Sequence, residues 1–233
     1  MARVAESAMR DRLTQVESRI DAALSHSLRN RENLCMVAVS KRQPLRAVQV
    51  AHDLGLRHFG ESQIQEGVPK IKAAPKDIHW HFVGHLQKNK VRACVKHFQY
   101  IHSVDSVKLL QRINQIAGEE RFRPEVFLQV NLAMDPDKHG MTAESVAVVL
   151  KEALGCPHLS CIGLMGIPPL DLGEGETLGF FKDLANLRST LRSENPEWPG
   201  RLSMGMSRDF EWAIAAGANY VRIGTEIFGE RLA

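Results

Sequence analysis

The 233-residue sequence has no apolar run of the roughly 18 residues that a membrane-spanning helix needs. Its first twenty residues mix arginines with acids, among them Arg3, Glu6, Arg10 and Asp11. A secretory signal needs an apolar core, and a transit peptide is poor in acids, so we expect neither here. These absences argue against a membrane protein and predict a cytoplasmic one.

Cysteine is also scarce. The four cysteines are Cys35, Cys94, Cys156 and Cys161, and none forms a CxxC pair or a Cys/His spacing typical of a zinc site. Cys35 and Cys161 lie in apolar, strand-like runs. The sequence therefore predicts four reduced structural thiols and no bound metal.

Charge of one sign is equally limited, since 30 Lys and Arg oppose 27 Asp and Glu for a net charge of +3. No basic run interleaved with aromatic residues is present, as a nucleic-acid-binding surface would require. Nucleic acid is therefore not an expected partner. The hydrophobic content of 44% is enough to bury one large core.

What the chain does contain is a regular alternation of strand-like and helix-like segments. A polar amphipathic helix is predicted at about 3–27, and one barrel domain at about 34–233, so that 1–233 forms a single domain. Strands that are apolar without alternation are typical of parallel sheets covered on both faces. Eight of them with short connections predict a (β/α)8 barrel, and the lack of G-x-G-x-x-G after the first strand argues against an open doubly wound sheet. The predicted strands are 34–39, 57–60, 79–84, 99–103, 125–131, 159–165, 201–204 and 219–223.

Local signals add detail to this outline. A helix is predicted to begin near Leu86. Asp105 is predicted to cap the helix after strand four, and Thr142 is predicted to cap the helix after strand five. The segment 168–177 is rich in glycine, proline and acids and is predicted to be a long loop over the mouth of the barrel.

Lys41 is the most informative residue of the chain. It follows the apolar run 34–39 and precedes a helix that opens at Pro44, which places an amine at the carboxyl end of a buried strand. Such strand ends carry the active sites of barrels, and partial desolvation lets a lysine form a Schiff base with an aldehyde. On position alone, an ordinary solvated lysine is the commoner case.

The loops after strands seven and eight, where barrels usually bind phosphate, offer hydroxyls and glycines. Ser207 is predicted to open a helix, Thr225 adds a second hydroxyl, and Gly205 and Gly224 permit close approach of backbone N–H groups to an anion. The glycines alternatively make turns, and the hydroxyls cap helices. Both loops together, opposite Lys41, favour a phosphate-bearing aldehyde as ligand. The further candidates at strand ends are Glu61, Gly84, His85, Ser103, Asn131, Met165, Gly166, Ser203, Met206 and Arg222.

Seven stretches in matching order resemble the pyridoxal phosphate homeostasis protein (YggS/PROSC) family. They are VAVSK at 37–41, HFGES at 58–62, QEG at 65–67, WHFVGHLQKNK at 80–90, GLMGIP at 163–168, SMGMSRDF at 203–210 and VRIGTEIFGER at 221–231. The resemblance implies a barrel similar to that of alanine racemase, without its second β domain. It also implies a protein that binds pyridoxal 5′-phosphate (PLP) and buffers or delivers it, with PLP-dependent apo-enzymes as partners, rather than a strong catalyst.

The resemblance also implies roles for particular residues. Lys41 would form the internal aldimine with PLP. The phosphate of PLP would be held by Ser207, Gly224 and Thr225, and Arg222 would face the pyridine nitrogen. An arginine there disfavours the pyridinium and weakens the ring as an electron sink. Among the remaining cofactor-site candidates, Met165 and Met206 either touch the ring or pack the barrel mouth, and Asn131 either bonds the cofactor or caps its own loop. Ser203 lies on the same strand end as Met206, and Glu61 either orients polar groups near Lys41 or serves as a helix N-terminal charge.

Two rival functions remain open at this point. A racemase of the alanine racemase type needs a second acid or base. Tyr100 is not at a strand end, and Tyr220 is expected to pack deep inside the barrel. The remaining candidates for this role are His81 and His85. An aldolase acting on a phosphorylated sugar would use Lys41 without PLP.

The chain departs from the family pattern at two places. Ser62-Gln63 stands where many members have Asn-Tyr, and Arg42-Gln43 where many have Thr-Lys. These changes alter hydrogen bonding around the ring but leave Lys41 and the phosphate loops in place. The charge on the helix at 3–27 favours a monomer.

Overall fold

The computed structural model describes residues 2–135 and 138–229 and contains a closed barrel of eight parallel strands. Each strand pairs with the next along the chain, and the last pairs with the first. The predicted barrel is confirmed, and each predicted strand is matched within one or two residues. The strands are β1 (Cys35–Val39), β2 (His58–Glu61), β3 (His79–Phe82), β4 (Tyr100–Val104), β5 (Glu125–Val130), β6 (Ser160–Gly166), β7 (Arg201–Met206) and β8 (Tyr220–Ile223).

Helices connect the strands on the outside of the barrel. In the described part of the chain they are α1 (Ala2–His26), α2 (Leu45–Asp53), α3 (Ile64–Ala73), α4 (Val91–His97), α5 (Val107–Glu120), α6 (Ala143–Leu154), α7 (Glu174–Glu194), α8 (Phe210–Ala215) and α9 (Thr225–Phe228). None of the helices within these described ranges is long and apolar enough to cross a membrane.

Three local predictions were wrong. The helix expected near Leu86 is preceded by the short 3-10 helix Lys88–Lys90, and α4 begins only at Val91. Ser106, not Asp105, caps α5, because its hydroxyl accepts the Leu109 N–H at 3.3 Å. The loop expected at 168–177 ends at Gly173, since the acids that follow it favour the N-terminus of α7.

Other helix ends follow the sequence. The Thr142 hydroxyl accepts the Ser145 N–H at 3.3 Å and caps α6, as predicted. The predicted helix at 3–27 is confirmed as α1, which packs against α8 and α9. Its inner face buries four apolar side chains, Met9, Val16, Ile20 and Leu24.

The barrel buries apolar side chains on both faces of its strands, as unalternating strands require. Outward-facing residues pack against the helices in a large core. A smaller cluster fills the inside of the barrel and consists of Val37, Phe127, Ile162, Met165 and Tyr220. This plug closes the interior, so a ligand reaches the barrel at its ends.

Candidate functional site

A cavity of about 570 Å³ lies at the carboxyl ends of the strands. Lys41 stands after β1, and the loops after β8, the neighbouring strand, and after β7 supply much of the wall beside it. Pro168, Leu170 and Leu172 add an apolar wall from the loop after β6. Six of the predicted site residues line this one cavity: Lys41, Met206, Ser207, Arg222, Gly224 and Thr225. The cavity therefore brings a partly buried amine together with the two loops that the sequence predicted to bind phosphate.

The backbone turn at Lys41 is held from behind by α3. Arg42 adopts a left-handed conformation with φ of 61°, which a non-glycine residue needs support to maintain. Its N–H donates to Glu66 Oε1 at 2.5 Å, and Gln43 N–H closes the turn on Ser40 O at 3.0 Å. Arg42 and Gln43, the departure from the family pattern, are thus part of the turn, and Gln43 also lines the cavity.

Glu61 supports this turn from the outer face of the barrel. Its Oε1 accepts hydrogen bonds from Ser40 Oγ at 2.7 Å and from Lys70 Nζ at 2.9 Å. The Lys70 Nζ also donates to Ser40 O at 2.8 Å and to Glu66 Oε1 at 2.6 Å. Burial is the main cause that raises the pKa of Glu61. Glu61 is absent from the lining of the cavity and contacts the residue before Lys41 instead.

The wall of the cavity after β7 and β8 is built from turns. Gly205 has φ of +90°, and Asp209 accepts the Met206 N–H at 2.6 Å. α8 begins only at Phe210, so the prediction that Ser207 opens a helix was wrong; Ser207 lies in the turn before it. Its hydroxyl accepts the Gly224 N–H at 3.3 Å, which joins the two loops.

Gly224 lies where β8 approaches β1. A Cβ there would lie 3.2 Å from Val39 O, a tight contact that a small shift of the backbone would have to relieve. Thr225 follows as the first residue of α9. The two loops therefore present hydroxyls and backbone N–H groups in a small space, which suits an anion.

Arg222 is a buried cation in the same cavity. Its guanidinium donates to Ser203 Oγ at 2.6 Å and to Gly166 O at 3.2 Å. Burial lowers the pKa of Arg222 to about 10, so it stays protonated at neutral pH. Arg222 therefore places a fixed hydrogen-bond donor in the lining of the cavity.

Ser203 lies beneath Arg222, outside the cavity lining, and begins a chain of histidines. Ser203 Oγ bonds His102 Nδ1 at 2.7 Å, His102 Nε2 bonds His81 Nδ1 at 2.9 Å, and His81 Nε2 bonds His58 Nδ1 at 2.9 Å. Burial lowers the pKa of His81 and of His102 well below the usual range, so both are neutral.

The connectivity of this chain fixes its direction. Arg222 can only donate, and among the described residues the hydroxyl proton of Ser203 has one acceptor, His102 Nδ1. His102 therefore donates from Nε2 to His81, and His81 donates from Nε2 to His58. This series of hydrogen bonds runs from the carboxyl end of the barrel toward its amino end.

Asn131 and Met165 line a second, adjoining cavity of about 200 Å³. The Asn131 amide donates to Asp135 O at 2.8 Å and to Lys138 O at 3.2 Å, and its carbonyl accepts the Asp135 N–H at 3.1 Å. Asn131 thus caps its own loop, while Met165 is 1% exposed and packs with the barrel plug. Neither residue lines the larger cavity.

The acid–base candidates for a racemase lie outside the larger cavity. Tyr220 is buried in the plug, which raises the pKa of its phenol, and His81 is buried below Arg222. His85 lines the smaller cavity, where its Nδ1 lies 3.4 Å from Asp105 Oδ2 and its ring stacks on His139 at 3.6 Å.

Sequence reasoning missed the supporting residues. Lys70 gave one usable signal, its i,i+4 spacing from Glu66 on a predicted helix. His58, His81 and His102 gave another, because each stands on one of three consecutive predicted strands. Neither signal shows which partners meet inside a closed barrel.

The fold and site together define a class, the barrel of the alanine racemase type. A family model described as "Alanine racemase, N-terminal domain" matches residues 12–232. An alanine racemase from Clostridium difficile superposes with a TM-score of 0.74 over 95% of this chain and 58% of that chain, and at 13% identity it shows the fold alone.

Closer relatives narrow the class. The "Pyridoxal phosphate homeostasis protein" of Synechocystis is 41% identical over 219 residues, covering 93% of this chain and 98% of the relative. PipY of Synechococcus elongatus, solved with PLP bound, is 36% identical with a TM-score of 0.84 over 95% of this chain and 100% of PipY. The chain belongs to the pyridoxal phosphate homeostasis protein family.

Proposed function

We propose that this chain binds PLP covalently through Lys41 and buffers or delivers it inside the cell, without strong catalysis of its own. One observation carries the proposal: a single cavity brings the Lys41 amine together with two phosphate-type loops. Two comparisons support it: PipY, a relative, was solved with PLP bound, and the relative from Synechocystis is named as a pyridoxal phosphate homeostasis protein.

The residues present fit PLP. Ser207, Gly224 and Thr225 would hold the phosphate, and Lys41 would form a Schiff base, in which a C–N bond forms at the aldehyde carbon and water leaves. Arg222 would face the pyridine nitrogen as a donor. When bound, the cofactor supplies an aldehyde and an electron-withdrawing ring.

The same geometry argues against strong catalysis. Arg222 stays protonated and cannot accept a proton, so it does not stabilise a pyridinium, and the ring remains a weak electron sink. Of the two candidates for a second acid or base, His81 is buried away from the cavity and His85 lines the smaller, adjoining cavity, while Tyr220 is buried in the plug. We therefore favour a carrier over a racemase.

The other predicted site residues would act from around the cofactor. Glu61 would support the turn that carries Lys41, and Ser203 would hold Arg222. Met206 would pack beside the ring, while Asn131 and Met165 would shape the adjoining cavity. We further propose a single-domain, cytoplasmic monomer whose partners include PLP-dependent apo-enzymes.

The test is a titration with PLP, followed through the visible absorbance of a Schiff base. We expect the parent and Lys88→Ala, which removes an exposed lysine, to develop the absorbance with one equivalent of PLP. Lys41→Ala should not develop it. An unchanged band in Lys41→Ala, or a parent that stays colourless at saturating PLP, would overturn the proposal and, in the second case, favour the aldolase.

A separate assay addresses catalysis. The PLP-loaded protein is incubated with L-alanine or L-serine in deuterated water, and exchange at the α-carbon is measured. We expect only slow exchange. Exchange at ordinary enzymatic rates that is lost in Lys41→Ala would establish the racemase instead.

A further inference from the structure

Three soft-donor side chains meet at the amino end of the barrel, opposite the cofactor cavity. Cys35, His58 and His81 come from the adjacent strands β1, β2 and β3, and one ligand atom of each lies within 4.8 Å of the others. The sequence alone does not show that these three side chains meet, because they are separated by more than twenty residues along the chain. Closing the barrel brings them together.

The donor set matches zinc. One thiolate and two imidazoles with an open fourth position are a common tetrahedral ligand set for Zn²⁺. Ideal zinc–nitrogen distances place two such nitrogens about 3.3 Å apart. His58 Nδ1 and His81 Nε2 are 2.9 Å apart in a hydrogen bond, and the Cys35 sulfur lies within 4.8 Å of a ring nitrogen of each histidine. To bind the ion, the two rings would turn so that both nitrogens face it, and the thiol would move closer to them.

The surroundings support the ligands as they do in metal sites. The second ring nitrogen of His81 bonds His102 at 2.9 Å, and Tyr100 stacks on the His81 ring at 4.1 Å, which fixes its plane. Cys35 and His58 are half-buried, so the cluster is reached from the amino end. An ion there would be separated from the cofactor cavity by the plug of the barrel.

We propose that Cys35, His58 and His81 form a binding site for a zinc-type divalent cation at the amino end of the barrel. On binding, the thiol proton leaves to solvent and the thiolate sulfur bonds the metal. His81 coordinates through Nε2, so its proton moves to Nδ1, which then donates to His102 Nε2. The proton of His102 moves in turn to Nδ1 and donates to Ser203 Oγ, which then accepts from both His102 and Arg222.

The site is independent of the proposed function, since Lys41 takes no part in it. The nearest rival in the described part of the chain is the cluster of His85, Asp105 and His139 at the other end of the barrel. That cluster lies on loops, and its two histidines stack with their ring centroids 3.6 Å apart. It serves as the control.

The test is a competition titration with Zn²⁺ and a chromophoric chelator on the full chain. We expect the parent, Lys41→Ala and the double variant His85→Gln/His139→Gln to bind one zinc with similar affinity. Cys35→Ser and His58→Gln should each bind at least about tenfold more weakly. Thermal unfolding of every variant, and PLP absorbance of those that keep Lys41, show that the barrel is intact.

A second measurement needs no variant. Co²⁺ added to the parent should give a near-ultraviolet band in the difference spectrum from thiolate-to-cobalt charge transfer. Absence of this band would contradict the proposal. So would a parent that cannot compete with the chelator, or zinc binding that survives in Cys35→Ser and disappears in His85→Gln/His139→Gln.

Discussion

At the scale of single residues, Ser207 joins the two loops proposed to hold phosphate. Its hydroxyl accepts the Gly224 N–H at 3.3 Å and faces the cavity that Lys41 lines. A hydroxyl that turns to donate to a phosphate makes a hydrogen bond to a charged group, worth about 1.5–3 kcal/mol. Most of the specificity for a phosphorylated aldehyde should therefore depend on a few small side chains.

Ser207→Ala should weaken PLP binding by roughly ten- to a hundredfold, because that hydrogen bond is lost. Pyridoxal, which lacks the phosphate, should bind the variant and the parent alike. Absorbance titrations with both compounds measure the two effects. An equal loss for pyridoxal would show that Ser207 acts on the ring or on the fold and not on the phosphate.

At the scale of elements, α3 and β2 hold the turn of Lys41 through one buried ion pair. Lys70 is 9% exposed and Glu61 is fully buried, and their atoms lie 2.9 Å apart. Among the described residues, Glu61 Oε2 has no hydrogen-bond partner, so the carboxylate depends on Lys70 and Ser40. Removing the cation would leave a buried charge uncompensated.

Lys70→Met should lower the free energy of unfolding by about 3–5 kcal/mol at pH 8. The loss should shrink at pH 5, since burial raises the pKa of Glu61, and the protonated carboxyl needs no cation. A carboxyl whose pKa is higher in the folded state than in the unfolded state stabilises the fold at low pH. That stabilisation is lost as the pH rises through the folded-state pKa. Urea unfolding at both pH values measures this.

Two variants control for this result. Lys72→Met removes an exposed lysine from the same helix and should change stability little. Lys70→Met/Glu61→Gln should recover part of the loss at pH 8, because no buried charge remains. A loss in Lys70→Met that does not depend on pH would contradict the assignment of the buried charge to Glu61.

The helix α1 and the residues just after it support α8 and α9 from outside the barrel. Arg12 donates to Ile227 O at 2.9 Å, and Arg29, just beyond the helix, donates to Ile214 O at 2.7 Å and to Ala218 O at 2.6 Å. These carbonyls belong to or follow α8 and α9. The loops that carry Ser207 and Thr225 thus depend on a helix distant from them in sequence.

Ile20→Ala, at a fully buried position on α1, should lower the free energy of unfolding by about 2–5 kcal/mol through lost burial and a cavity. Ser18→Ala, on the exposed face of the same helix, is the control. Urea denaturation provides the measurement. Equal stability of Ile20→Ala and the parent would mean that α1 contributes little to the packing of α8 and α9.

At the scale of the whole molecule, the barrel could be predicted because eight strand-like segments alternate with helix-like segments and are joined by short connections. Lys41, Ser207 and Thr225 follow from the same pattern, since strand ends meet at one mouth. The cap at Ser106 and the start of α4 at Val91 could not be predicted, because neighbouring residues such as Asp105 are equally suitable for these positions by residue type. Pairings such as Lys70 with Glu61 need the closed barrel.

Reduction with borohydride, followed by peptide mapping, tests the covalent attachment of PLP most directly. The PLP-loaded protein is reduced, digested and analysed by mass spectrometry, with Lys41→Ala treated in parallel. We predict one pyridoxyl group on the peptide that contains Lys41 and none in the variant. A parent with no adduct, or with its adduct on another lysine, would contradict the account.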